Sequence, residues 1–225
     1  MRSLCALVLA LVACVPVIAQ TPFPVRFVEA GQTVTVPKGD YILSRDVIVR
    51  KFGTLILEAG VRVQVKGLGN PVQVYGTLDV RGTEAEPVVI GPDAGNFCGT
   101  IAAYYVDGPR PKVLIDYLRL TTTRNSNSLL LSAADFSVSN SVIDNQSTST
   151  SRVCILAGNN AVGVISDCYL KCLTDSTSST AGVSIGNGAP TRQADAVQLV
   201  NVITEDCKDP VRIQKRIALL NGTIE

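Results

Sequence analysis

One short phrase recurs along the second half of the chain and limits its fold more than any other feature. It runs: an aliphatic residue, one spacer, an Asn or Asp, then another aliphatic residue two or three positions on. It centres on Asp116, Asn140, Asp167, Asn201 and Asn221, at steps of 24, 27, 34 and 20 residues. The residues two positions before are Leu114, Val138, Ile165, Leu199 and Leu219. In the first half, Gly53-Thr54-Leu55 returns 23 residues later as Gly76-Thr77-Leu78. Such a period marks one small unit stacked on itself. Each unit lays its aliphatic side chains on those of the next and so builds one continuous interior. Asn and Asp tolerate the left-handed backbone of a tight corner, and stacked Asn side chains bond one another along the pile. The five polar residues are therefore expected to form a structural ladder at a corner.

The units are made of strands. Residues 47–49, 55–57, 61–65, 72–75 and 88–90 are β-branched or alternating runs punctuated by glycine. No amphipathic helix of useful length accompanies them. Hairpin signals are scarce: between two clear strands only Asp107-Gly108 and Asn221-Gly222 offer the usual turn pair, which argues against a β-sandwich. The polar stretches 121–128, 145–151 and 174–180 read as loops between strands. The fold expected is all-β: a single-stranded parallel β-helix of about eight coils over residues 26–225. Right-handed winding is the rule for parallel crossovers.

Three phrases of the first half sharpen this. Residues 41–49 (YILSRDVIV), 53–61 (GTLILEAGV) and 74–82 (VYGTLDVRG) resemble opening coils of the right-handed parallel β-helix, or pectin-lyase-like, superfamily. They are most similar to extracellular animal β-helix ectodomains of the bark beetle type. The resemblance covers about residues 30–225 and implies a fold, not an activity, because that fold serves lyases, hydrolases, adhesins and receptors.

Residues 1–19 read as a secretory signal peptide: Arg2, an apolar run from Leu4 to Val15, then Val17 and Ala19 before the cleavage point. The run is too short to span a bilayer. The mature chain is expected to be secreted, with no membrane span. It carries 19 basic and 19 acidic residues, so nothing steers it toward nucleic acid. Five cysteines remain: Cys98, Cys154, Cys168, Cys172 and Cys207. In an oxidising compartment they make two disulfides, of undetermined pairing, and one left over. No second short-spaced pair accompanies Cys168 and Cys172, so no metal site is expected, and no cofactor.

The chemistry legible in the chain is sparse. It has no histidine, which excludes Ser-His-Asp and Cys-His catalysis and His-ligated metals. One local match resembles polygalacturonase-type glycoside hydrolases: Gly182-Val183-Ser184-Ile185-Gly186, then Pro210-Val211-Arg212-Ile213-Gln214-Lys215. The resemblance implies that Arg212, with Lys215 one position off the family's pattern, binds a substrate carboxylate. Ala181 stands where that family has its His, and Ser166-Asp167-Cys168 keeps half of its Asp pair. Glycosidic hydrolysis needs two positioned carboxyls. Asp167, Asp144 and Asp175 are the candidates for a diverged enzyme, and a calcium-dependent lyase finds only scattered acids. No catalytic residues are expected, and the favoured function is a binding or structural module contacting an extracellular polysaccharide or matrix protein. For such a module Tyr104 and Tyr105 stand out: alternation sends one inward, leaving Tyr105 as the exposed contact. Sequons begin at Asn145 and Asn221, the former the better glycosylation site by its Ser/Thr-rich surroundings. The chain stops at Glu225 in mid-repeat with no capping segment, which reads as an incomplete copy or a subunit capped by a partner.

Overall fold

The computed structural model describes residues 20–173, 179–186 and 197–213, and these contain strands, turns and loops but no helix. The strands are β1 (Thr21–Pro22), β2 (Phe27–Val28), β3 (Thr33–Val36), β4 (Gly39–Leu43), β5 (Val47–Val49), β6 (Thr54–Glu58) and β7 (Val61–Val65). Next come β8 (Val72–Val74), β9 (Thr77–Arg81), β10 (Val88–Pro92), β11 (Ile101–Tyr104), β12 (Lys112–Asp116), β13 (Leu118–Thr122) and β14 (Asn127–Ser132). The last are β15 (Asp135–Ser139), β16 (Val142–Asn145), β17 (Ser151–Gly158), β18 (Val162–Cys172), β19 (Ser179–Ile185), β20 (Val197–Glu205) and β21 (Asp209–Ile213). The five runs expected as strands coincide with β5, β6, β7, β8 and β10 to within two residues.

Every pairing is parallel. In the first circuits each strand pairs with the third strand on: β3 with β6, β6 with β9, β9 with β12. The chain thus lays down three strands and returns to lie beside where it began. One face is the eight-stranded sheet β2-β5-β8-β11-β14-β17-β19-β21, and the other two belong to a thirteen-stranded sheet. Those two faces fuse in β18, whose first half pairs with β15 and whose second half pairs with β16. The arrangement is all-β and all-parallel, compatible with the solenoid that the repeat predicts.

The interior is a set of aliphatic columns. Val36, Leu57, Val80, Ile115, Val138, Ile165 and Leu199 occupy successive rungs, and all are buried. Val47, Val72, Ile101, Leu129, Ile155 and Val183 form a second buried column inside the eight-stranded sheet. Each such side chain contributes about 1.5–3 kcal/mol by leaving water. The repeated Gly-Thr-Leu has a steric cause: Thr54 lies beside Thr77, and a Cβ on Gly76 would stand 2.3 Å from the carbonyl oxygens of both Arg50 and Gly53.

The left-handed corner is shifted at its first expected member. Tyr117, Asn140, Asp167 and Asn201 hold the left-handed corner, with φ of 50°, 50°, 53° and 50°. Asp116, expected there, is the last residue of β12 and sits beside Ser139. The aliphatic frame fits either register, and only the backbone turn decides between them. The Asp116 carboxylate still accepts from Asn140 Nδ2 at 2.8 Å, and Asn201 Nδ2 donates to Asp167 Oδ1 at 3.0 Å. Asn221 lies outside the described residues.

The cysteines depart from the expected two disulfides. One disulfide joins Cys172 to Cys207, while Cys98, Cys154 and Cys168 are free and buried. Cys98 and Cys168 pack in the hydrophobic core, and Cys154 Sγ lies 3.7 Å from the already paired Cys172 Sγ. No helix among the described residues is long and apolar enough to cross a membrane. The expected leader, residues 1–19, lies outside those residues.

Candidate binding cleft

A cleft of about 670 Å³ opens on the outer side of the eight-stranded sheet. The register builds it. Val49, Val74 and Ala103 point inward on adjacent rungs, so Arg50, Tyr75 and Tyr104, one residue further along, form an outward column. The rings of Tyr75 and Tyr104 lie 5.9 Å apart, tilted by 32°. Partial burial and the neighbouring Tyr75 push the Tyr104 hydroxyl above its ordinary value. One wall is Phe52, 63% exposed and held at φ 64° by the turn before Gly53. Val106, 72% exposed, and Pro109 also line the cleft. Lys51 links Phe52 to the loop at Asp107: its Nζ reaches Asp107 at 3.1 Å and stands 5.7 Å over the Phe52 ring.

The charges of the cleft are internally matched. Glu29 pairs with Arg50 at 3.1 Å, and Asp107 with Lys51. The two lining carboxylates are thus neutralised where they stand, and an aromatic surface with balanced charge lies between them. Chemically this arrangement suits stacking against a flat face with polar edges.

The residues singled out from sequence fall in several places. Strand alternation would send Tyr104 into the core, yet neither tyrosine is buried. Strand β11 ends at Tyr104, so alternation ends there too. Tyr104 lines the cleft, and Tyr105, 45% exposed, lines a separate depression of about 480 Å³ with Arg110 and Asn159. Asp144 faces outward on β16, between Thr121 and Lys171 of the neighbouring strands, and accepts from Gln146 at 2.6 Å. Asp167 lies at the bend of β18. Arg212 is on β21 of the other sheet, bonded to Asp209 at 2.7 Å and to Ser179 at 2.6 Å. The fold spreads these three over different faces. Asp175 and Lys215 lie outside the described residues.

Asn145 is fully buried, not at the start of an exposed loop as its Ser/Thr-rich surroundings suggest. Its Nδ2 donates to the carbonyls of Val153 at 3.0 Å and Ser126 at 3.2 Å, and its Oδ1 accepts from Ser147 N at 3.1 Å. The amide that would carry a sugar is committed inside the fold, where it satisfies backbone groups at a turn. Polarity alone suggests a loop, but a buried corner also needs polar side chains.

Sequence reasoning passed over Phe52 and Tyr75. The signal was present: each directly precedes the glycine of the Gly-Thr-Leu repeat, so adjacent circuits bring both to one edge. A scan against protein-family models found no match, and comparisons with curated proteins and with solved structures found none either.

Proposed function

We propose that this protein is a secreted, non-catalytic binding module on a right-handed parallel β-helix of the pectin-lyase-like type, whose outer cleft takes sugar rings of an extracellular glycan. The observation that carries this is the aromatic pair Tyr75–Tyr104, which lines a charge-balanced cleft together with Phe52. A sugar presents an apolar C–H face to an aromatic ring and hydroxyls to its rim. Neutral rings fit better than uronates, because both cations of the cleft already have carboxylate partners. The disulfide is consistent with an oxidising, extracellular location. A hydrolase would need two carboxyls at one centre; among the described candidates Asp144 lies on β16 and Asp167 at the bend of β18.

The test pairs binding with turnover. The protein is titrated with neutral and acidic polysaccharides by calorimetry, and the supernatants are searched for new oligosaccharides by mass spectrometry. Binding without products is expected, with Tyr75→Ala and Phe52→Ala each weakening it about tenfold, the loss of one stacked ring. Released oligosaccharides that vanish in Asp167→Asn would replace this reading with a hydrolase or lyase. Absence of binding to every glycan would turn the search to matrix proteins.

A further inference from the structure

The winding gathers three sulfurs that the sequence keeps far apart. Cys154 lies in β17, Cys172 ends β18, and Cys207 follows β20. Cys154 Sγ is 3.7 Å from Cys172 Sγ, and all three sulfur atoms lie within 4.8 Å of one another. Cys154 and Cys172 are fully buried, and Cys207 is half-buried. The three are bunched in a triangle, not strung in a line, so Cys154 is poorly placed for direct attack along the Cys172–Cys207 bond.

A triangle of thiolates is instead the shape of a soft-metal site. With metal–sulfur bonds of about 2.3 Å, ligand sulfurs stand about 3.8 Å apart in a tetrahedron and about 4.0 Å apart in a trigonal plane. The 3.7 Å separation of Cys154 and Cys172 already matches such an edge. We propose that, once the Cys172–Cys207 disulfide is reduced, Cys154, Cys172 and Cys207 bind one thiophilic d10 cation, Cu(I) or Zn(II). Three sulfurs alone complete a trigonal Cu(I) site, whereas Zn(II) needs a fourth ligand such as water.

The chemistry balances in two steps. A phosphine reductant converts the disulfide to two thiols and leaves as its oxide, water supplying the oxygen and the two protons. The cation then binds three thiols and displaces their three protons, so uptake weakens as pH falls. Cys98 and Cys168 are buried elsewhere and serve as internal controls.

The experiment reduces the purified protein with a phosphine, removes the reductant, and offers Cu(I) or Zn(II) from a competing chelator. Bound metal is counted, and alkylation of each cysteine is timed by peptide mapping. One ion per chain is expected. It should slow alkylation of Cys154, Cys172 and Cys207 together by at least tenfold and leave Cys98 and Cys168 unchanged. Cys154→Ser should weaken binding at least tenfold, whereas Cys98→Ala should not. Retention of Cu(I) or of Zn(II) assigns the trigonal or the four-coordinate form. The proposal is overturned if no ion binds, if only two of the three cysteines are protected, if all five respond alike, or if reduction abolishes the β-sheet spectrum.

Discussion

Asn145 and Tyr75 show how little of a residue's role its type reveals. In Asn145 three hydrogen bonds converge on one buried amide, next to a buried Thr122–Ser128 hydroxyl pair at 2.5 Å. Removing that amide strands backbone groups away from water. Asn145→Ala should therefore cost about 2–3 kcal/mol in urea unfolding, and mass mapping of the protein secreted from eukaryotic cells should find Asn145 without a glycan. An exposed sequon would give the opposite pair of results. Tyr75, by contrast, is half-exposed, so Tyr75→Ala should leave unfolding within about 1 kcal/mol of wild type while weakening the glycan binding proposed for the cleft.

At the scale of strands and corners, two devices hold the rungs in register. The first is close approach. Gly76→Ala would drive a methyl group into two carbonyl oxygens, so its unfolding midpoint should fall by the equivalent of at least about 2 kcal/mol. The second is the left-handed corner that bends β18 at Asp167. Asp167→Asn keeps that tolerance and should be near neutral, whereas Asp167→Val should cost about 1–2 kcal/mol through backbone strain. Equal stability of the two variants would mean that the bend is not held by residue 167. The same corner explains why Tyr117 can stand in a polar ladder: the position asks for a turn, and Asp116 beside it still supplies the oxygen that Asn140 needs.

Across the described molecule, buried thiols and the Cys172–Cys207 disulfide link stability to pH and redox state. Burial raises the thiols of Cys98 and Cys154 to about 12 and that of Cys168 to about 11. Each binds its proton more tightly when folded than when unfolded. The stability they contribute is intact below the ordinary thiol range, near pH 9, and drains away as pH rises toward their folded values. Urea midpoints should thus be level between about pH 6 and 8 and fall above about pH 9, less steeply in Cys98→Ala. The Cys172–Cys207 bridge closes a separation of 35 residues, so Cys207→Ser should destabilise by about 4 kcal/mol.

The chain by itself determined its architecture. A polar residue recurring in an aliphatic frame, with a Gly-Thr-Leu phrase at the same period, leaves stacked parallel strands as the arrangement that buries every aliphatic face. The strand positions, the corner residues from Asn140 to Asn201 and the continuous core were legible for that reason. Tertiary structure decided the rest, because it depends on what lies one circuit away. The period tells that circuits stack, but not which outward residues share an edge, so the Phe52–Tyr75–Tyr104 cleft was invisible to a search for adjacent aromatics. Nor does it tell which polar residues turn inward, so Asn145 read as surface. Cysteines 18 and 35 residues apart gave no motif, yet each lies close to one turn of the chain from the next, and winding superimposes their sulfurs.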